Sequence, residues 1–293
     1  MSYTGFNQRI SPVCSSPNTF MILISMFQSL GTVSADGGGI EISCSSSSIS
    51  IKECVFESCC AYNGGGCFLN SVSSINFELS CITKCNAVVW GHGFYSSGNL
   101  DSETNIQLVS LVSCSNSALH GRSSLLMTYA KQVLKNNNGS NCILSSYDIF
   151  LHLRSSNFTH TMNSCINNKV IIAINLAESI NGLVSLSNYI NNTKTAASYG
   201  LIFGQNTQAT FTSTYFKKND QESFIHSSSS SISVSSCYFF ANVFINDCPS
   251  QSLEDFSEYP LSIHDYCTSH VYFTKAPFPI YKSELVFLIV LFN

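Results

Sequence analysis

The first residue to question is a histidine flanked by glycines, Gly91-His92-Gly93, because an imidazole beside paired carboxylates can support acid–base cleavage of a glycosidic bond. That chemistry needs two carboxylates at one place. The aspartates Asp36, Asp101, Asp148, Asp220, Asp247, Asp255 and Asp265 are spread along the chain without a shared spacing. Calcium-assisted elimination would need several of them converging on one face with an arginine. Arg122 and Arg154 have no acidic companions nearby in the sequence. Ser, Cys, His and Asp all occur, but no G-x-S-x-G marks a nucleophile. Of the fourteen cysteines none forms a C-x-x-C pair, and the closest groupings, Cys59-Cys60 and Cys81 with Cys85, lack a histidine at finger spacing, so zinc is not expected. No catalytic, cofactor-binding or metal-binding residue is assigned, and no cofactor is implied.

The elements that would position such residues are set by an internal repeat. Ile49, Ile51, Cys54, Phe56 and Cys59 return as Ile232, Val234, Cys237, Phe239 and Asn242, each copy behind a run of serines. Taking Phe56 and Phe239 as anchors, further copies fit with anchors at Ile82, Leu111, Leu134, Phe158, Tyr189 and Phe216, at spacings of 23 to 31 residues. A ninth copy fits upstream through Phe20, Ile22, Ser25 and Phe27. Five residues before each anchor stands an apolar residue: Ile51, Phe77, Ile106, Tyr129, Leu153, Val184, Phe211 and Val234. Three residues after it come Cys59, Cys85, Cys114, Asn137, Thr161, Asn192, Asn219 and Asn242.

Within a copy the apolar residues lie two apart, as in Ile49/Ile51 and Ile75/Phe77, which is the period of a strand. The dominant residues suit strands and turns, and no helix is expected. Glycine triplets follow the anchors by eight to ten residues and open a second strand: Gly37 to Ile42, Gly64 to Leu69, and Gly91 to Tyr95 with His92 in the triplet. A phosphate cradle would instead have to open a helix. A unit this small buries no core alone and must stack on its neighbours. The fold expected is all-β, a right-handed parallel β-helix of about nine rungs, roughly 40 Å long at the usual strand spacing. Residues 1–19 form a lead-in, 20–247 the β-helix, and 248–293 an irregular C-terminal cap or truncated tail. The runs Ser45 to Ser48 and Ser227 to Ser231 read as corners, and the column three residues after the anchor as stacked cysteines and asparagines. Cys59, Cys85 and Cys114 would be vertical neighbours close enough for a disulfide, and the preferred reading is that they are small buried fillers.

The F-x-x-C and F-x-x-N motifs at Phe56 to Cys59, Phe216 to Asn219 and Phe239 to Asn242, with Gly37 to Ile42 and Gly64 to Leu69, resemble the polymorphic outer-membrane protein family. That family includes bacterial surface passengers and is similar to trichomonad surface proteins. The resemblance covers roughly residues 20 to 247 and implies a surface-displayed, adhesin-like β-helix without catalytic residues. A second resemblance is narrower: the G-H-G at Gly91 to Gly93 is similar to an element of polygalacturonase-like glycosidases, but their N-T-D, D-D and R-I-K elements are absent here.

Charged residues make up 10% of the chain and the net charge is −4, which excludes a nucleic-acid binder because that needs a basic stripe. Residues 20–27 match the repeat better than they match a signal segment, and the apolar stretch 285–292 is far shorter than the ~20 residues of a spanning helix. Three N-glycosylation sequons, at Asn138, Asn157 and Asn191, are no more than chance provides in so Asn-, Ser- and Thr-rich a chain. The function expected is a non-catalytic surface or adhesion protein presenting a repetitive binding face. The alternative is a degenerate carbohydrate-active β-helix enzyme using His92. The partners expected are a host-cell or matrix protein or a glycan, at the cell surface or membrane-associated, with any membrane attachment through sequence outside this chain.

Overall fold

The computed structural model describes residues 2–12, 14, 18–114, 122–144, 148–155, 157–194, 199–246 and 267. The chain coils as a parallel β-solenoid of about eight turns. One rung shows how. Strands Ile40–Ser43, Ser48–Lys52 and Val55–Glu57 belong to three successive sheets, which we number one, two and three. The single long strand Cys67–Thr83 runs over all of them, pairing Cys67 with Ile40, Ile75 with Ile49 and Ile82 with Phe56. Strand Phe94–Val112 repeats this one rung further on. Period-two alternation turns Ile49 and Ile51 inward and leaves Ser50 and Lys52 outside.

The anchor column is Phe27, Phe56, Ile82, Leu111, Gly139, Cys165, Tyr189, Phe216 and Phe239, nine residues enclosing eight turns. Two anchors therefore differ from those expected. Leu134 pairs with Ile106 and His160, five residues before the anchor, and Phe158 pairs with Gln132 and Gly182 on sheet two. The cause is volume. At this rung the core is filled from the opposite wall by Ile149 and Phe150, and a Cβ on Gly139 would lie 2.6 Å from Ile149 Cγ2. Where the anchors are large the opposite wall is small: Gly39 faces Phe27 and Phe56, and Gly93 faces Leu111. Close packing requires such exchange of volume across the core.

With the register corrected, the column three residues past the anchor becomes Cys59, Cys85, Cys114, Cys142, Asn168, Asn192, Asn219 and Asn242. Asn137 moves to the preceding corner, two residues before Gly139. Each asparagine joins two rungs. Asn192 Nδ2 donates to Cys165 O at 2.8 Å, and Asn192 Oδ1 accepts the backbone N–H of Asn168 at 3.3 Å. Asn219 does the same with Tyr189 O and Asn192 N, and Asn242 with Phe216 O and Asn219 N. These bonds satisfy corner groups that no ladder reaches. The residue before each corner position adopts positive φ, among them Ser58, Lys84, Asn167, Asn191 and Lys218. The expectation of serine-run corners holds: Ser46 and Ser229 both have positive φ.

The glycine triplets carry the chain into sheet one. Gly37, Gly64 and Gly91 all have φ near +62° or +63°, and a Cβ on Gly65 would meet His92 O at 2.1 Å. Phe20 pairs with Ile49 and Phe27 with Phe56, so residues 20–27 do form a rung. Strand Ser2–Phe6 pairs below it.

Candidate functional site

His92 occupies the second slot of the third glycine triplet, fully buried. Its backbone N–H donates to Ser123 O, and its Nδ1 accepts the N–H of Ala87 at 2.9 Å. An accepting Nδ1 places the proton of the neutral ring on Nε2. The imidazole thus serves the corner, and among the described residues it joins no cluster of three His, Cys, Asp or Glu side chains that could hold a metal ion. One rung up, Ser123 aligns with Asp148, and both are fully buried. The order His92, Ser123, Asp148 sets the serine between the other two, whereas a nucleophilic triad needs the imidazole there. Asp148 Oδ2 accepts from Asn175 Nδ2 at 2.8 Å, and burial holds its carboxyl well above the usual carboxylate range. That shift favours the protonated carboxyl and opposes a role as general base.

The remaining charged candidates stay apart. Arg154, expected to lack an acidic companion, has one: its Nε lies 2.8 Å from Glu178 Oε2, and its guanidinium also meets the Tyr129 hydroxyl. The two acidic and basic residues are 24 positions apart in sequence, one rung in space, so only the register could reveal them. Arg122 lies over the Trp90 ring at 4.8 Å. Asp36 accepts from the backbone and side chain of Asn63. Asp247, Asp255 and Asp265 fall outside the described residues. Among the described residues no three His, Cys, Asp or Glu side chains converge in a way that could hold a metal ion.

The cysteine column behaves as the asparagines do. Cys59 Sγ donates to Phe27 O at 3.3 Å, Cys85 Sγ to Phe56 O at 3.6 Å and Cys114 Sγ to Ile82 O at 3.2 Å, the same anchor carbonyls that asparagine amides reach higher up. All three are free and buried, in line with the filler reading. Burial pushes the Cys85 and Cys114 thiols well up and Cys142 to about 11, while the hydrogen bond from Cys85 draws Cys59 down. Raised in this way, the Cys85, Cys114 and Cys142 thiols are poor nucleophiles. Disulfides form elsewhere, Cys14 with Cys44 and Cys81 with Cys267, off the inward column where the repeat gives no signal.

What faces solvent is more regular. Sheet two presents Ser50, Asn76, Asn105, Val133, Thr159, Leu183, Thr210 and Ser233 in one vertical row. Side-chain bonds run along it, from Asn105 Nδ2 to Asn76 Oδ1 and between Thr210 and Ser233. Sheet one carries the outward pair Phe203 and His226, stacked at 5.7 Å, while the Phe68 ring that stacks on Tyr95 is buried. Chemically the arrangement offers flat, rigid faces with hydroxyl, amide and aromatic groups repeated at about the 4.8 Å strand spacing. Comparison with protein-family models and with curated protein sequences returned no match.

Proposed function

We propose that this chain is a non-catalytic surface or adhesion β-helix protein that binds a partner through the outward faces of its sheets. The observation that carries the reading is the division of its polar groups. Those that could do chemistry, His92, Ser123 and Asp148, are sealed inside, while hydroxyl, amide and aromatic groups are displayed in register outside. Regular rigid faces favour binding because little is lost on ordering them. The F-x-x-C and F-x-x-N repeats and their resemblance to polymorphic outer-membrane proteins support the same reading. The two disulfides support an oxidising compartment, as at a cell surface. No helix among the described residues is long and apolar enough to cross a membrane.

The alternative, a carbohydrate-active enzyme centred on His92, is opposed by the burial of that ring and by the N–H that Ala87 gives to it. Two assays on the purified chain separate the readings. Binding to cultured cells and to immobilised matrix proteins should be saturable, and polygalacturonate and related glycans should release no reducing ends. Turnover that His92→Ala abolishes would reverse the ranking, and absence of saturable binding to any surface would remove the adhesion reading.

A further inference from the structure

Tyr199 is a large ring left on the surface, 41% exposed, on a solenoid that buries most of its aromatic groups. It stands just before strand Gly200–Gln205, which pairs with strand Asp220–Ser228 one rung above. Phe203 and His226 face each other in that pairing, their rings 5.7 Å apart and nearly parallel, at 9°. Tyr199 lies 5.4 Å from both centroids and perpendicular to both, at 81° and 86°. A ring equidistant from two stacked rings and perpendicular to each has its face across their edges. With 41% of the residue exposed, these contacts do not enclose it. Edge-to-face contacts of this kind fix the ring and direct two positive edges at its negative face.

Beside this plate stands a polar pair. Gly200 pairs with Ser223, so Tyr199 and Glu222 each immediately precede a member of that pair. Glu222 Oε2 is 4.0 Å from Lys194 Nζ, both side chains about one third exposed at 31% and 34%. Four ångströms is too long for a direct hydrogen bond but suits a hydroxyl seated between the two, accepting from the ammonium and donating to the carboxylate.

We propose that Tyr199, with Lys194 and Glu222, forms a binding site for a neutral hexopyranose. The C–H face of the sugar ring lies on the exposed face of Tyr199, and a ring hydroxyl bridges Lys194 and Glu222. A flat, immobilised aromatic ring flanked by one donor and one acceptor matches an apolar ring face rimmed by hydroxyls. An anionic sugar gains nothing from a pair already neutral in sum. The site deepens the binding-face reading by naming a ligand class, and it rests on that reading only for the idea that outward faces bind.

The test is saturation-transfer NMR on the full chain with the methyl glycosides of glucose, galactose and mannose. At least one should receive saturation, concentrated on the C–H protons of one ring face. Tyr199→Ala should weaken that binding about tenfold and Tyr199→Phe by less than about threefold, since the aromatic face and not the hydroxyl is used. Glu222→Gln should weaken it as well, and an unchanged far-ultraviolet spectrum would exclude misfolding in each variant. No transfer to any of the three sugars, or equal transfer to wild type and Tyr199→Ala, overturns the site. If the chain still adheres saturably to cells in that event, the adhesion reading stands and this site alone falls.

Discussion

Asp148 shows how one buried group sets a dependence on pH. Its Oδ1 has no hydrogen-bond partner, its Oδ2 accepts from Asn175, and burial raises its pKa well above 3.8. In the unfolded chain an aspartate ionises near 3.9. Above that pH the unfolded state has released the proton while the folded state retains it, so unfolding is favoured progressively as pH rises. The slope for this group is about 1.4 kcal/mol per pH unit, and it ends where the folded carboxyl itself ionises. Asp148→Asn keeps the acceptor for Asn175 and removes the titration. Urea unfolding at pH 4, 5.5 and 7 should show the variant more stable than wild type at pH 7 and similar at pH 4. Parallel profiles for the two proteins would refute the assignment of a neutral buried carboxyl. No sequence pattern marks Asp148, because its burial comes from neighbours in other rungs.

At the scale of the corner, cysteine and asparagine are equivalent: both donate to the anchor carbonyl one rung below, and only asparagine also accepts a backbone N–H from that side. Asn219→Leu would leave Tyr189 O without its donor and the backbone and side-chain N–H of Asn192 without their acceptor. Three buried groups unpaired should cost on the order of 3 kcal/mol or more. Gln208→Leu, exposed on the adjacent strand of the same rung, should cost no more than about 0.5 kcal/mol. Equal denaturation midpoints for the two variants would show that the column is not load-sharing in this way. Much of this was legible in the sequence, since alternation and the Cys/Asn column follow from one rung. Gly139 and Cys165 were not, because an anchor without a large side chain is recognisable only from Ile149 and Phe150 opposite it. The Tyr199, Phe203 and His226 cluster escaped for a related reason: its members meet only once the register between two rungs is known.

Among the described residues each rung packs mainly on those above and below, so stability is nearly a sum of nearest-neighbour terms and the ends are its weakest parts. The two ends differ. At the start, strand Ser2–Phe6 pairs beneath Phe20–Phe27, and Phe20 and Ile22 are fully buried. At the last described rung the inward residues Ile232 and Val234 are only half-buried, whereas Ala209 and Phe211 one rung below are buried. A half-covered core returns less of its hydrophobic stabilisation, and among the described residues its outer strand edge has a ladder on one side only. Opening should therefore begin at residues 231–246 and move toward the middle rungs, with sub-global free energies rising inward. Hydrogen exchange read by mass spectrometry should show least protection in peptides covering strands Ser231–Ser235 and Tyr238–Phe240, more in Gln208–Thr212, and most between residues 49 and 112. In mild denaturant the C-terminal rungs should exchange while the central ones remain protected. A single exchange rate shared by all rungs would mean that the solenoid opens as one cooperative unit, and that neighbouring rungs are coupled more strongly than their unequal burial implies.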